Sequence, residues 1–564
     1  MAEQVGATNA AVLICGAGPV GMVLALDLAA RGIRSIVIER NAEDTSPRQR
    51  CNHISARTME AFRQLGIAKE IREAGLTPDY PHDISYVTAL TGHEMARIRI
   101  PSRRDRYASG DYADAGWPTD EPPHRCNQMF FEPILRWHLA ASPLIETRYE
   151  VELEAAEQTE AGVRATGRDL RNGTNVSFSA EYLVGCDGGG SLIRKAIGAE
   201  FEGDDVISAT RSVVVRAPHM RELFANPPSW MCWFVNPDVF GCLVALNGED
   251  LWAFHFWMPP GNFNFATMVP EIAIRAAMGA DLDYELLSID DWFGRRLVAD
   301  RFRDRWMFIC GDAAHIWIPF AGYGMNAGIA DAMNLSWQLA GTLHGWGGTA
   351  LLDGYEAERR PVTEQVSRQV IAIALENVGE RVVNARADRL LGDGAQAAAE
   401  RADLGAFLYR ANVGQFACLG LNFGTYYDSS PLLAGDGERA PPYGLSDYRP
   451  STVPGCRTPY VALAEGGSLY DRLGSGFTLL RRDADCPVDQ LMTAAARRNI
   501  PLALVDLPAE AAPLYDRALV LSRPDQHVAW RGNAVPADPE ALLDIVTGHR
   551  WVAEAACGVK MEDA

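Results

Sequence analysis

The sequence predicts an α/β fold with more than one domain. Its 564 residues are too many for a single hydrophobic core, so two or three domains are expected. Apolar runs typical of buried parallel strands end at glycine-bearing segments in three distant places, Gly16–Gly21, Cys186–Gly189 and Gly311–Pro319. Near the C-terminus, strand-like runs alternate with helix-like stretches, which predicts a further α/β domain.

Composition and charge disfavour several classes of partner. Hydrophobic residues make up 48% and charged residues 22% of the chain, as in an ordinary globular protein. The net charge of −21 disfavours nucleic acid and anionic membranes, because an acidic surface attracts neither. The eleven cysteines include no C-x-x-C pair, so we expect no metal site and no dithiol redox centre. No basic segment precedes an apolar run at the start, so we expect a cytoplasmic protein without a secretory signal.

The first glycine segment has the features of a dinucleotide-binding turn. It follows an apolar run, and the spacing G-x-G-x-x-G places Gly16 in the tight turn, Gly18 beside the pyrophosphate and Gly21 at the helix–strand contact. Pro19 and Val20 begin the predicted helix, whose N-terminus offers unpaired N–H groups to phosphate oxygens. We therefore predict that these five residues bind a dinucleotide.

A carboxylate follows at the expected distance. The second predicted strand ends at Glu39, 23 positions after Gly16, where an acid accepts the ribose hydroxyls of a dinucleotide. An acid here favours FAD or NAD over NADP. We include the neighbouring Arg40 among the predicted cofactor contacts.

The two later segments favour FAD over NAD. In one, an apolar strand ends at Asp187-Gly188, and in the other a buried strand ends at Gly311-Asp312 with Pro319 downstream. An NAD dehydrogenase keeps its binding residues within one compact unit, so it does not require a strand and Gly-Asp pair almost 300 residues later.

On these three segments, the chain resembles the p-hydroxybenzoate hydroxylase-like, single-component (group A) FAD-dependent aromatic monooxygenases of the phenol hydroxylase type. The resemblance covers roughly residues 10–370 and extends more weakly to the end. It implies non-covalently bound FAD, NAD(P)H as a transient co-substrate, O2, and a small aromatic substrate. A homodimer is compatible with the resemblance.

The resemblance also implies particular cofactor contacts. Arg48 and Arg50 match the family's basic stretch after the second strand, where an arginine lies against the FAD pyrophosphate or the nicotinamide cofactor. Gln128 matches a residue on the flavin side of FAD, and Asp187 matches the family's Asp-Gly motif. The remaining predicted contacts belong to the G-D-x6-P element and the helix after it: Asp312, Pro319, Gly322, Gly324, Met325 and Asn326.

An aromatic β-sheet is predicted between the second and third segments. In the run 251–258, alternation places Trp252, Phe254, Phe256 and Met258 on one face and Ala253, His255 and Trp257 on the other. In the family such a sheet forms the substrate domain, with one face over the isoalloxazine ring. His255 and Tyr323 are predicted as catalytic candidates that contact the substrate phenol, whereas the resemblance implies a structural role for His315.

The predicted domain organisation follows from these segments. Residues 1–200 form the first part of a Rossmann-like FAD-binding domain, with early substrate-domain strands at 80–115, and 201–300 form an inserted mixed β-sheet substrate domain. Residues 301–400 complete the FAD-binding domain with long helices, 401–455 are a linker, and 456–564 resemble the family's thioredoxin-like C-terminal domain. Without a cysteine pair, that domain is expected to have a structural or assembly role.

The resemblance implies hydroxylation of a phenolic or other activated aromatic compound through a flavin C4a-hydroperoxide. The same scaffold also serves epoxidation and oxidative tailoring of polycyclic metabolites, which remains an alternative. Gly190 and Tyr323 differ from the residues common in the family, which leaves open a catalytically silent flavin-binding protein.

Overall fold

The structure, a computed structural model, describes residues 8–46, 49–108, 110–259, 261–319, 322–377 and 388–550. Within these ranges the strands form three sheets, each packed on a hydrophobic core. The strands are β1 (Thr8–Cys15), β2 (Ser35–Ile38), β3 (Ile84–Val87), β4 (Glu94–Ile98), β5 (Ile145–Arg148), β6 (Val151–Thr159), β7 (Gly162–Asp169), β8 (Asn175–Gly185), β9 (Phe201–Arg216), β10 (Met231–Val235), β11 (Phe240–Ala245), β12 (Leu251–Trp257), β13 (Glu285–Ala299), β14 (Arg303–Asp304), β15 (Met307–Ile309), β16 (His315–Ile316), β17 (Phe477–Arg481), β18 (Leu502–Asp506), β19 (Leu519–Ser522) and β20 (Val528–Gly532).

The α-helices surround and connect these sheets. They are α1 (Pro19–Ala30), α2 (Ala56–Gln64), α3 (Ala68–Glu73), α4 (Gln128–Ala141), α5 (Leu192–Ala196), α6 (Pro270–Met278), α7 (Gly324–Leu343), α8 (Asp353–Asn377), α9 (Ala395–Phe416), α10 (Leu419–Phe423), α11 (Asp489–Arg497) and α12 (Pro539–Val546).

The first sheet is the Rossmann-like core of the molecule. Its order is β14-β15-β8-β1-β2-β5, and β15, β8, β1, β2 and β5 run parallel. Val12, Leu13 and Ile14 of the central β1 are fully buried, because helices cover both faces of a parallel sheet. The three strands that precede the glycine-bearing segments, β1, β8 and β15, are neighbours in this sheet. Their carboxyl ends therefore lie side by side.

The second sheet is mixed, and the chain enters it twice. Its order is β16-β13-β9-β12-β11-β10-β3-β4, in which β3 and β10 are parallel neighbours although about 140 residues separate them. Trp252, Phe254 and Phe256 are fully buried on one face of β12, where they belong to the core of this domain. The opposite face carries His255.

The third sheet forms the C-terminal domain, with the order β18-β17-β19-β20 and with α11 and α12 in contact. Strands β17 and β18 are parallel, whereas β19 and β20 are antiparallel, as in a thioredoxin-like fold. Two buried ion pairs join this domain to the FAD-binding domain, Arg457 with Glu60 and Arg523 with Glu358.

The predicted fold class is confirmed, but the segment predicted as a linker differs from the structure. Helices α9 and α10 occupy the first part of 401–455, and α9 packs against β4. Leu404 and Leu408 are buried in that contact, so tertiary packing decides the structure of this alanine-rich stretch.

None of the helices in the described part of the chain is long and apolar enough to span a bilayer.

Candidate active site

In the turn between β1 and α1, two glycines are required by close packing and a third is accessible. Gly16 has φ +106°, and a Cβ there would lie 2.3 Å from the carbonyl oxygen of Cys186. A Cβ at Gly21 would lie 2.0 Å from the Gly16 carbonyl oxygen. No atom lies within 4 Å of a Cβ built at Gly18, the N-cap of α1, so a ligand can approach its backbone. Pro19 then begins the helix.

The three glycine-bearing segments meet at this turn. Cys186 of the second segment contacts Gly16, as described above. A Cβ built at Gly311 of the third segment would lie 3.0 Å from Val20 Cγ2, and one at Gly328 of α7 would lie 2.7 Å from the same atom. Residues almost 300 positions apart therefore form one continuous surface around the start of α1.

Glu39 is held with its carboxylate beside the turn. The Ala17 backbone N–H donates to Oε2 at 2.9 Å, and the Asn41 N–H and side-chain amide donate to Oε1 at 2.9 and 2.6 Å. These bonds orient the carboxylate at the carboxyl end of β2, where the remaining lone pairs can accept ribose hydroxyls.

Asp312 is exposed, and its carboxylate has no hydrogen-bond partner among the residues that the structure describes. The residue before it, Gly311, has φ +59° and donates its N–H to Asp331 Oδ2 at 3.1 Å. Asp331 also accepts from His315 at 2.7 Å and from Arg359 at 2.8 Å. Burial alone would raise the pKa of Asp331, but His315 and Arg359 hold it below the usual value. His315 is thus a structural residue that fixes the segment carrying Asp312.

The start of α7 presents backbone N–H groups that have no partner within the helix. Gly322 has φ +60°, and a Cβ built at Gly324 would have no neighbour within 4 Å. Met325 follows in the first turn, whose N–H groups have no partner within the helix. The Asn326 side chain faces away from this surface: Oδ1 accepts from Ser55 N–H at 2.9 Å, and Nδ2 donates to the Gly322 carbonyl oxygen at 2.7 Å. Only the backbone of Asn326 remains for the predicted cofactor contact.

The Asp187 carboxylate is hydrogen-bonded to the residues that follow it. Its Oδ1 accepts from Ser191 Oγ at 2.6 Å, and its Oδ2 accepts from Leu192 N–H at 2.7 Å and Ile193 N–H at 3.3 Å. Burial raises the pKa of this carboxyl, against the effect of those hydrogen bonds. Asp187 therefore caps the short α5, and its contact with the cofactor stays a prediction.

The other predicted contacts differ in exposure. Arg40 is exposed, and its guanidinium lies 3.6 Å from the Glu152 carboxylate. Arg50 and Pro319 are exposed, and Arg48 lies outside the described residues. Gln128 is the first residue of α4 and donates its side-chain amide to Glu132 at 2.8 Å, while its backbone N–H donates to Cys51.

One face of the second sheet turns towards the FAD-binding domain and is aromatic. Hydrogen-bonded pairing aligns Tyr86, Trp233, Cys242, His255 and Ser212 across five strands, so these side chains share a face. Rings stack along this row: Trp233 lies 5.0 Å from Trp257 and 6.3 Å from Tyr86, between ring centroids. This row, with Trp257, is called the aromatic wall below.

Two contacts identify which side of the sheet meets the FAD-binding domain. Gln49 Nε2 lies 3.5 Å from His255 Nε2. A Cβ built at Gly294, on the same face of β13, would lie 3.2 Å from Ile318 Cγ1, next to Pro319. The aromatic wall therefore faces the loops that carry the predicted flavin contacts.

His255 is held by two residues of neighbouring strands. Its Nδ1 lies 2.7 Å from Ser212 Oγ, and Trp292 Nε1 donates to the same Ser212 oxygen at 2.8 Å. Burial lowers the pKa of His255 to about 4, so the imidazole is neutral at physiological pH.

Tyr323, the other catalytic candidate, is a packing residue in this structure. It is buried, its hydroxyl donates to the Leu421 carbonyl oxygen at 2.9 Å, and its ring stacks on Trp317. Burial raises the pKa of the phenol. With its proton committed to a backbone carbonyl, Tyr323 is not positioned to activate a substrate.

The sequence did not predict the residues that support the candidate site through hydrogen bonds to its members. Asp331 and Arg359 lie inside helices α7 and α8, and Ser212 and Trp292 lie on strands that become neighbours only through sheet order. The sequence carries no local signal for these contacts, because each joins positions 28 to 80 residues apart.

The residues present fit FAD. The open backbone at Gly18 and the start of α1 suit a pyrophosphate, Glu39 suits a ribose, and Asp312 offers a free carboxylate to hydroxyl groups. The first turn of α7 supplies N–H donors for a ring edge that becomes negative on reduction. Across the described ranges, no group of three or more His, Cys, Asp or Glu side chains is arranged to hold a metal ion.

Comparison with known proteins agrees with this geometry. The family model described as FAD binding domain matches residues 9–370, and the model described as aromatic-ring hydroxylase, C-terminal, matches residues 451–555. FAD-dependent monooxygenase apdD of Emericella nidulans is 30% identical over 561 residues, covering 94% of this chain and 88% of that protein. 4-Methyl-5-nitrocatechol 5-monooxygenase of a Burkholderia species is 29% identical and covers 94% of this chain and 96% of its own.

A solved structure is also similar over nearly the full length. It is RebC, soaked with chromopyrrolic acid and containing bound 7-carboxy-K252c, with a TM-score of 0.88 and 35% identity over 97% of this chain and 100% of the other. FAD is therefore the cofactor of this protein. The chain belongs to the family of FAD-dependent aromatic monooxygenases of the phenol hydroxylase type.

Proposed function

We propose that the protein uses NAD(P)H and O2 to hydroxylate a phenolic or otherwise activated aromatic compound. The observation that carries this proposal is the aromatic wall on the face of the second sheet that meets the FAD-binding domain. Stacked indole and phenol rings favour a flat, apolar ligand, since aromatic rings pack well in offset arrangements.

The protein's own residues have three tasks in this reaction. The Gly18 turn, Glu39, Asp312 and the start of α7 hold the cofactor, which supplies the activation of oxygen when bound. The aromatic wall positions the substrate ring and excludes water, which protects a reactive oxygen species from unproductive loss. His255 offers a polar contact on this largely aromatic face.

The experiment is an NAD(P)H-consumption screen of the FAD-loaded protein with a panel of phenols, in which peroxide release and products are measured together. We expect a substrate to accelerate consumption, with less peroxide than oxidised cofactor. Trp257→Leu should raise the KM for that substrate about tenfold through lost stacking. The matched control is Trp137→Leu, because Trp137 is 63% exposed on α4, away from this face. An equal change in KM in the two variants would contradict the placement of the substrate against the aromatic wall.

A polycyclic substrate is a second candidate. Trp233 stacks with rings on both sides of it, so the wall extends beyond the area of a single phenol. RebC, a protein similar to this chain, was solved with bound 7-carboxy-K252c. Product analysis with simple phenols and with fused-ring polyketides separates the two candidates by which class is oxidised. Absence of stimulated consumption with either class would favour a catalytically silent flavin-binding protein.

A further inference from the structure

Three polar side chains cross the substrate-facing side of the second sheet in a row. They are Trp292 on β13, Ser212 on β9 and His255 on β12, and two hydrogen bonds of 2.8 and 2.7 Å connect them. Ser212 is buried, and His255 and Trp292 are partly buried. The row ends at His255 Nε2, on the side where Gln49 of the FAD-binding domain approaches.

The direction of these bonds follows from the chemistry of tryptophan. An indole N–H is a donor only, so the Ser212 oxygen must accept from Trp292. The Ser212 hydroxyl proton then needs an acceptor, and within the described residues His255 Nδ1 is the acceptor recorded for it. A buried hydroxyl proton without an acceptor is costly, so Nδ1 accepts and the neutral imidazole carries its proton on Nε2.

The opposite tautomer has weaker geometric support. In that tautomer the Ser212 proton is left unpaired, and the Gln49 amide could donate to Nε2 only across 3.5 Å, at the long limit of a hydrogen bond. If the Gln49 amide is turned by 180°, its oxygen accepts from Nε2–H instead, because the two ends of an amide are interchangeable in shape. Gln49 then accepts from the same Nε2–H group of His255 that would donate to a ligand oxygen.

We propose that His255 presents a fixed Nε2–H donor to an acceptor oxygen of the aromatic substrate, with Ser212 and Trp292 as positioning residues. The inference rests on the proposed function and deepens it, because it selects substrates with a phenolate or carbonyl oxygen at the contact. His255 therefore acts as a hydrogen-bond donor and not as a base. Trp292 cannot accept a proton, so the row cannot carry a substrate proton away from the site.

The donor also has the right charge state over a wide pH range. Burial lowers the pKa of the imidazole to about 4, and no charged neighbour contributes to that shift. A neutral donor stabilises a phenolate relative to a phenol, because a hydrogen bond to a charged acceptor is stronger than one to a neutral acceptor.

The first test measures the tautomer directly, on FAD-loaded protein labelled with 15N-histidine, by long-range proton–nitrogen NMR. The wild type should show the Nε2–H form at pH 7, and Ser212→Ala should shift the signal towards the Nδ1–H form. Ser212→Thr, which keeps the hydroxyl, should restore the wild-type pattern. Ser85→Ala is the matched control, because Ser85 is a buried serine of the same sheet that pairs with Ser229 instead. An Nδ1–H form or an imidazolium in the wild type overturns the proposal.

The second test measures the effect on a ligand, with 4-nitrocatechol as the optical probe of a bound phenolate. We expect its bound pKa to be about one unit lower in the wild type and in His255→Gln than in Ser212→Ala and His255→Asn. Glutamine can place an N–H near the Nε2 position, whereas asparagine is too short. Equal bound pKa values in all four proteins overturn the proposal.

The two tests also separate this inference from the proposed function. A protein with the Nε2–H tautomer that binds no phenol and oxidises none contradicts the proposed function, and with it the role of the donor towards a substrate. A protein that hydroxylates a phenol but shows the Nδ1–H tautomer contradicts only the assignment of His255.

Discussion

Glu358 of α8 and Arg523 of the C-terminal domain form an ion pair in which neither side chain is exposed, with 2.7 Å between Oε2 and Nη2. Asp525 also accepts from this guanidinium at 2.7 Å, so the single cation lies between two carboxylates. Arg523 thus ties the C-terminal domain to the helix whose next residue, Arg359, holds Asp331.

Loss of one partner of this pair should be strongly destabilising. In Glu358→Gln, a charge that remains buried loses a partner, and we expect the free energy of unfolding to fall by about 3 kcal/mol. Urea unfolding, followed by tryptophan fluorescence, measures the change. Asp506→Asn, which removes an exposed partner of Arg481 in the same domain, is the control and should cost much less. A similar loss in both variants would mean that burial of the Glu358 pair has no special effect.

Substitutions at two glycines of the first turn should affect folding and cofactor binding separately. Gly21→Ala forces a Cβ against the Gly16 carbonyl oxygen and should destabilise the domain. Gly18→Ala has space in the protein, so we expect a normal fold and at least about tenfold weaker FAD binding, because the methyl group meets the pyrophosphate. Titration of the apoprotein with FAD measures the affinity. Gly435→Ala, which also has open space but lies in the C-terminal half of the chain, should behave as wild type.

The two aspartates of the later segments should respond in opposite ways. Asp312→Asn removes a free carboxylate, so FAD affinity should fall while the stability of the apoprotein is retained. Asp187→Asn weakens the cap of α5 and should lower apoprotein stability by about 1 kcal/mol, with a smaller effect on FAD. Thermal melts of the apoprotein and FAD titrations give both quantities. The reverse pattern would identify Asp187, and not Asp312, as the direct cofactor ligand.

Acid should destabilise the protein through its buried histidines. The folded-state pKa of His255 is lowered to about 4, whereas the unfolded chain keeps about 6.5, so the unfolded state takes up the proton first as the pH falls. The contribution of His255 to the free energy of unfolding is therefore fully present above pH 6.5. It falls by about 3 kcal/mol between pH 6.5 and pH 4. His53, His82 and His124, whose pKa values burial also lowers, act with the same sign.

Substitution isolates the part of this acid effect that belongs to His255. His255→Gln should reduce the loss of stability between pH 6.5 and pH 4, as measured by urea unfolding at a series of pH values. His219→Gln, which changes an exposed histidine, is the matched control. If the free energy of unfolding of His255→Gln depended on pH as in the wild type, the imidazole would be solvated in the folded protein.

The sequence was sufficient for the parts of the site that depend on local chain geometry. The G-x-G-x-x-G turn, the acid that ends β2 and the glycine before Asp312 each follow from an apolar strand and a spacing. The capping role of Asp187 was not predicted although its partners lie within six residues, because a carboxylate before a short helix caps that helix as readily as it binds a nucleotide.

Contacts between distant strands were beyond sequence reasoning. Alternation along 251–258 separated the two faces of β12 correctly, but only the sheet order and the Gln49 contact reveal which face meets the FAD-binding domain. The same holds for Tyr323, whose hydroxyl partner Leu421 lies in a helix within the segment predicted as a linker.

The adjacency of Glu358 and Arg359 couples the C-terminal domain to the segment that carries Asp312. Through α8, a continuous series of hydrogen bonds connects the thioredoxin-like lobe with Asp331 and the backbone of Gly311. Heating should therefore melt both lobes in one event, and release of the yellow colour should coincide with the change in fluorescence of Trp530 on β20.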